Sequence, residues 1–213
     1  MPYSIKEIFY TIQGEGFYAG RPAVFCRFTK CNLWSGKEAD RSTAVCQFCD
    51  TDFLGTNGLN GGEYTSPDSL VDVICSLWPK QNSIQTKLFA VFTGGEPLLQ
   101  LDSALIEKLH EKEIIIAVET NGTIQPPRNI DWLCVSPKAN SKMVQMSGDE
   151  LKLVYPQLGI NPSDYTCLKF RHFFLQPMDG PEINENTHKS IQYCLNNPQW
   201  KLSLQTQKSL GIP

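Results

Sequence analysis

The sequence predicts an α/β protein built as a partial, open barrel of parallel strands. Three observations carry that expectation. Short apolar strands alternate with amphipathic helices, the pattern that lays helices over a parallel sheet. Several turn-rich segments fall at the C-terminal ends of those strands, where such barrels place their active sites. The length, 213 residues, is little for a complete eight-fold barrel.

Each element follows from local pattern. The predicted strands are Ser4 to Tyr10, Pro22 to Thr29, Leu88 to Phe92, Ile114 to Glu119, Trp132 to Val135, Thr166 to Leu175 and Lys201 to Gln205. Each is apolar or alternating and bounded by Gly, Pro or Asn. Ser66 caps a helix that starts at Pro67, carries Leu70, Val73, Ile74, Leu77 and Trp78 on one face, and stops at Pro79. Asp102 opens a second with Leu105, Ile106 and Leu109 inward, and a third runs from about Asn186 to Asn196 with His188, Ile191 and Leu195 aligned. The glycine-rich Gly55 to Gly62 reads as a flexible loop, because it lacks the Lys and Ser/Thr of a phosphate-binding loop.

Composition bounds the function. With 41% hydrophobic residues the chain can bury one substantial core, which predicts a single domain over 1–213. Lys and Arg number 19 against 22 Asp and Glu, a formal charge of −3 that gives no electrostatic reason to bind nucleic acid or an anionic membrane. The first residues lack the cationic and apolar runs of a signal peptide. The longest apolar runs, Leu88 to Phe92 and Ile114 to Val118, are far short of the roughly 20 residues of a membrane helix. A soluble, cytoplasmic protein is expected, so the eight cysteines read as reduced thiols available for metal or catalysis.

Spacing separates those cysteines. Cys31, Cys46 and Cys49 form Cys-x14-Cys-x2-Cys, a tight pair plus a third thiolate from a loop, which suits a multi-iron cluster. Three thiolates on a cubane of four irons leave one iron open to a cofactor. Spacing alone also admits a structural zinc site completed by another Cys or a His. Cys26 is a poor fourth ligand, because strand alternation puts it with Val24 and Phe28 on one face, and Arg27, Thr29 and, by extension, Cys31 on the other. Cys75, Cys134, Cys167 and Cys194 lie in predicted elements and read as core. His110, His172 and His188 show no ligand spacing.

These residues carry a resemblance. The runs NLWSG and CQFCDTDF, followed by VFTGGEP, ETNG, VSPK and QPMDGP, resemble the 7-carboxy-7-deazaguanine synthases, radical S-adenosylmethionine enzymes of 7-deazapurine (queuosine) biosynthesis. The match runs from Ile12-Gln13-Gly14-Glu15-Gly16 to Pro213. Most radical S-adenosylmethionine proteins space their first two cysteines by three residues; the fourteen here match a subset of this family. The resemblance implies a radical S-adenosylmethionine barrel with a [4Fe-4S] cluster on Cys31, Cys46 and Cys49. It assigns Phe48, Cys49, Asp50, Gly95, Ser136, Pro137, Lys138, Gln176, Pro177, Met178 and Asp179 to S-adenosylmethionine. Thr51 matches the one protein ligand of a magnesium ion, a metal that keeps several waters and needs few side chains. Asp50 and Asp52 also suit hydrogen bonds to the turn after Cys49, and Glu119 could accept from ribose hydroxyls.

For the substrate the pattern carries over onto Ile12, Gln13, Gly14, Arg27, Thr93 and Pro213, the last through the terminal carboxylate of a tail folded over the site. Appending residues after Pro213 is expected to raise the substrate KM. On the strand reading Arg27 stands roughly 13 Å along the strand from Cys31, which leaves room for a cofactor between. A guanidinium there can grip a carboxylate bidentately.

The implied chemistry begins with electron transfer from the cluster to S-adenosylmethionine, giving a 5'-deoxyadenosyl radical that takes hydrogen from 6-carboxy-5,6,7,8-tetrahydropterin. The ring contracts, hydrogen is returned, and loss of ammonia gives 7-carboxy-7-deazaguanine. An external electron donor and a homodimer are implied as well. Two rivals stay open: a radical S-adenosylmethionine activase acting on a partner protein, which would not need a pterin pocket, and a zinc-stabilised binding module, which would be colourless.

Overall fold

The structure, a computed structural model, describes residues 2–79 and 86–213. Its strands are β1 (Tyr3–Ile12), β2 (Pro22–Phe28), β3 (Gly62–Tyr64), β4 (Phe89–Gly94), β5 (Ile115–Thr120), β6 (Trp132–Val135), β7 (Ser147–Tyr155), β8 (Lys169–Pro177) and β9 (Trp200–Leu202). They form one sheet in the order β3-β1-β2-β4-β5-β6-β7-β8-β9. From β2 through β9 every pairing is parallel, whereas β1 runs antiparallel to both β2 and β3. The sheet does not close on itself, so the expected partial, open barrel is the observed one.

Strand alternation divides the residues between two faces. Val24, Cys26, Phe28, Ala90, Phe92, Ile116, Val118, Leu133, Val135, Leu151 and Leu153 point outward and join the main core. The helices α1 (Pro67–Leu77), α2 (Ser103–Glu111) and α3 (Ile183–Asn196) lie on that side. Ser66 caps α1 by accepting from Ser69 N at 3.2 Å, and Leu70, Val71 and Ile74 are buried beneath it. Asp102 caps α2 through Leu105 N at 3.0 Å, with Leu105, Ile106 and Leu109 buried. The alternate strand residues point into the barrel. Low in the lumen these are apolar, Ala23, Phe89, Val91, Ala117 and Trp132. Higher up they are polar, including Arg27, Thr93, Glu119, Lys152 and Gln176, all of which face one cavity.

The connection between β1 and β2, residues 13–21, fills the open side of the barrel. Its base is closed by Gln13 N donating to Arg21 O and Gly20 N donating to Gln13 O, both at 2.8 Å. It reaches across to the far flank, where Gly16 N donates to Ser203 Oγ at 2.9 Å and Phe17 N to Glu150 Oε2 at 3.1 Å. Tyr18 packs on Phe89 and Trp132, with ring centroids 5.0 and 4.6 Å away. This segment is a plug that ties the β1–β2 end of the sheet to the β7 to β9 flank.

The structure corrects several expectations. β7 has no predicted counterpart. The strand predicted from Thr166 starts at Lys169, because Pro162–Tyr165 form a 3-10 turn capped by Asn161; Cys167 is consequently exposed and not core. In α3 the inward residues are Asn186 and Ser190, while His188 and Leu195 face solvent. The glycine-rich segment is held down and not free: Ile8 N donates to Leu59 O at 2.7 Å and Gly58 N to Lys6 O at 3.0 Å. A Cβ on Gly61 would stand 2.3 Å from Lys6 O, so glycine permits that approach. β2 ends at Phe28 and Lys30 takes φ 71°, so strand alternation does not extend to Cys31. No helix among the described residues is long and apolar enough to cross a membrane.

Candidate active site

A cavity of about 460 Å³ opens at the C-terminal ends of the parallel strands. Cys31 follows β2, and Cys46 and Cys49 return to it after a loop that is packed on itself. Within that loop the Arg41 guanidinium lies 4.1 Å from the Trp34 ring and donates to the carbonyls of Gln47 (3.1 Å) and Cys49 (3.0 Å). Val45 N and Cys46 N both donate to Leu33 O, and Trp34 packs edge-on against Phe53. Fourteen intervening residues are thereby folded into an arc that returns the second and third thiols to the cavity lined by the first.

Cys46 donates to Cys49, which pulls the Cys49 thiol down to about 6 against its burial. Burial pushes the Cys31 thiol up, and the amides of Leu33 and Trp34 pull the other way. Among the described residues no set of three or more His, Cys, Asp or Glu converges as the ligands of a single ion. Cys31, Cys46 and Cys49 nevertheless line one cavity, and three thiols so placed are a donor set that suits a multi-iron cluster. Cys26 is fully buried in the core on the other side of β2.

The loop after β4 abuts Cys31 directly. Gly95 N donates to Phe28 O at 3.1 Å and Glu96 N to Lys30 O at 2.8 Å. A Cβ on Gly95 would sit 2.0 Å from Lys30 O, and one on Gly94, at φ 144°, would sit 2.3 Å from Phe28 O. Buried Glu96 accepts from Leu98 N, Thr120 Oγ1 and Asn121 N, locking this loop to the end of β5. Burial pushes its carboxyl up, and those three donors oppose the shift. Asn121 Nδ2 donates to Asn32 Oδ1 at 3.0 Å, tying β5 to the cysteine loop in turn.

Of the residues assigned by resemblance, all but two line the cavity. Phe48, Cys49, Asp50, Gly95, Ser136, Lys138, Gln176, Pro177 and Asp179 of the expected cofactor set do so, as do Thr51 and, of the expected substrate set, Ile12, Gln13, Gly14, Arg27, Thr93 and Pro213. Pro137 is buried outside the lining, and the main chain of Met178 is held at both ends, its N donating to Tyr155 O and its O accepting from Asn186 Nδ2. Lys138 Nζ donates to the carbonyl and hydroxyl oxygens of Ser136, both at 2.6 Å. Asp52 accepts from Leu54 N and Lys6 Nζ, the expected turn role; Asp50 instead pairs with Lys208 and Gln205.

Arg27 Nε donates to Glu7 Oε1 at 2.8 Å, leaving the outer edge of the guanidinium available. Phe9 and Phe25, stacked at 5.5 Å, line the cavity alongside. Sequence reasoning missed Lys152, Glu7, Gln205, Gln207 and Lys208 here. The Glu-Leu-Lys-Leu alternation at 150–153 carried a signal for the first of these. The last three belong to a C-terminal strap that includes α4 (Thr206–Leu210). In that strap Thr206 Oγ1 donates to Gly14 O, Gln205 and Gln207 donate to Glu15, and Lys208 bridges Asp50 and Asp179.

No protein-family model matches the chain. Curated relatives do. It is 58% identical over 212 residues to the 7-carboxy-7-deazaguanine synthase of Bradyrhizobium diazoefficiens and 54% identical over 213 residues to that of Bordetella pertussis, covering all of both chains each time. The crystal structure of QueE from Escherichia coli superposes with a TM-score of 0.69 at 26% identity, over 96% of this chain and 94% of that one. Full-length identity at this level, joined to the three-thiol cavity, makes the chain a member of the 7-carboxy-7-deazaguanine synthase family.

Proposed function

We propose that this chain, acting as one domain over 1–213, converts 6-carboxy-5,6,7,8-tetrahydropterin to 7-carboxy-7-deazaguanine with loss of ammonia, as a carbon-nitrogen lyase of queuosine biosynthesis. The observation that carries the reading is the single cavity holding Cys31, Cys46 and Cys49 at one end and Arg27 at the other. Cys31, Cys46 and Cys49 hold a [4Fe-4S] cluster, Phe48, Asp50, Gly95, Ser136, Lys138, Gln176 and Asp179 hold S-adenosylmethionine, and Thr51 holds magnesium. When bound, these groups supply reversible hydrogen-atom abstraction and a Lewis acid for substrate oxygens.

The polypeptide supplies position. The main chain at Gly94 and Gly95 carries no side chain between the cysteine loop and the cavity, so a cofactor can lie against it. Arg27, fixed by Glu7, turns its free edge to the substrate carboxylate. The stacked Phe9 and Phe25 give the bicyclic ring an apolar neighbour. Gln13 and Thr93 add hydrogen-bonding groups, with Ile12, Gly14 and Pro213 beside them. The plug and the strap, the latter tied to Gly14, Glu15, Asp50 and Asp179, shield the cavity from water. An external donor supplies the electron, and the working form is a homodimer in the cytoplasm.

The test is incubation of anaerobically reconstituted, reduced protein with the pterin, S-adenosylmethionine and magnesium. Formation of 7-carboxy-7-deazaguanine is expected. Cluster-replete protein that cleaves S-adenosylmethionine yet leaves the pterin intact would sink the assignment.

A further inference from the structure

A cluster of buried charge in the barrel is centred on Lys152, a residue with no part assigned to it so far. Lys152, with a side chain only 4% exposed, reaches Glu15 Oε2 at 2.6 Å and Glu119 Oε2 at 2.8 Å. Glu119 Oε1 accepts from Gln13 Nε2 at 3.2 Å, and Gln13 Oε1 accepts from Glu15 N at 3.2 Å. Four residues therefore close a ring, three links running between side chains and the last through the Glu15 main chain. Its members come from three places: Gln13 and Glu15 from the plug, Glu119 from β5 and Lys152 from β7.

The ring is charged for a reason. An apolar side chain at 152 would leave two desolvated carboxylates facing one another, with Glu150 and Cys134 behind them and Lys138 the other cation nearby. Such a site rejects a second negative charge, so one carboxylate would take a proton and the pair would part. With the ammonium present, burial acts to raise the Glu15 carboxyl, yet Lys152 and the amides of Gln207 and Gln205 override it and hold the group at about 2. Glu15 thus stays ionised and fixed from two sides, by Lys152 below and by the strap above.

We propose that Lys152 is a positioning residue whose ammonium fastens the plug to the barrel wall and so sets the substrate end of the cavity, Gln13 and Gly14, against its cofactor end at β5. The proposal rests on the function given above and gives Glu15 and Glu119 their parts. Neither carboxylate acts as a base in it. They are the two arms of a clamp.

The test compares Lys152→Met and Lys152→Arg with the parent as cluster-loaded protein containing S-adenosylmethionine. The readouts are the Kd of fluorescent 6-carboxypterin, product formed per S-adenosylmethionine cleaved, iron per chain, and amide exchange at Gly16 and Phe17. Lys152→Met is expected to raise Kd about tenfold or more, to lower product per cofactor cleaved, and to speed exchange in the plug while iron stays at the parent level; a misplacement near 1 Å costs roughly a hundredfold in rate. Lys152→Arg, which keeps the cation, recovers most of the loss. If Lys152→Met does not fold, the double variant Lys152→Met with Glu15→Gln, which buries one fewer charge, is expected to show the same losses. Parent values of Kd and plug exchange in the Met variants overturn the proposal. So does loss of iron in parallel with affinity, with Arg no better than Met, because that pattern is general destabilisation. Failure of the parent to bind or convert the pterin would strike the function instead, and plug exchange would still judge the clamp.

Discussion

Substituting Gly95 by Ala perturbs the cysteine loop through its backbone. The new methyl would stand 2.0 Å from Lys30 O, 2.5 Å from Lys30 C and 3.0 Å from Cys31 Cβ. Ordinary contacts begin near 3.4 Å, so the Lys30-Cys31 peptide must retreat by more than 1 Å. It cannot swing aside as a flexible side chain would. The retreat stretches the bond from Glu96 N to Lys30 O, now 2.8 Å, and loosens Gly95 N from Phe28 O. Overpacking of this kind costs about 1–3 kcal/mol and a strained buried hydrogen bond about 1 more, together roughly 2–4 kcal/mol. At about 2–4 °C per kcal/mol for a chain of this size, the melting temperature is expected to fall by roughly 4–16 °C. Because the displaced residue is Cys31, iron bound per chain after anaerobic reconstitution should fall well below that of the parent. Gly62→Ala is the control: its Cβ would meet only Tyr64 at 3.8 Å, and a change within about 0.5 kcal/mol is expected. Gly95→Ala with parental melting temperature and iron content would refute the reasoning.

Three further outcomes follow from the geometry. Replacing Cys31, Cys46 or Cys49 by Ala is expected to abolish bound iron and sulfide, whereas Cys26→Ala should lose about 1 kcal/mol of stability and keep its iron, measured by metal analysis beside thermal melting. Glu15 is held near 2 when folded against an ordinary 4.5, so its contribution is complete above pH 4.5 and is lost as pH falls toward 2. Denaturant titrations of the parent and Glu15→Gln should converge across that window. Lys208→Met removes an exposed bridge between Asp50 and Asp179, so global stability should change by less than about 1 kcal/mol. Amide exchange across the strap at 205–211 should nonetheless accelerate, and an unchanged rate would show that the bridge does not hold it.

What could be read in the sequence was what depends on neighbours in the chain. β4, β5 and β6 are buried on both faces and read as plain apolar runs. Ser66 and Asp102 sit at the helix starts where capping chemistry puts them. β7 alternates at Glu150-Leu151-Lys152-Leu153 but was missed, and its inward charges are what local pattern sends to solvent although both faces are buried. The inward face of α3 was missed for the same reason. Asn186 and Ser190 are buried there because each satisfies a carbonyl, Met178 O at 2.9 Å and Asn186 O at 2.8 Å. In the site, the Cys-x14-Cys-x2-Cys run announced itself by spacing. Lys152 and Glu15 lie 137 residues apart and Lys208 and Asp50 lie 158 apart, so no local pattern could have joined them.

A barrel whose gap is spanned by a loop has two independent forms of closure. Backbone rungs hold the strands in line, while the join across the opening depends on side chains and a few amide contacts at Glu150, Ser203 and Gly14. The two are separable in kind: the sheet that carries the reacting groups takes its register from its own ladders, as a split ring keeps its shape from its metal, and owes none of it to the fastening across the gap.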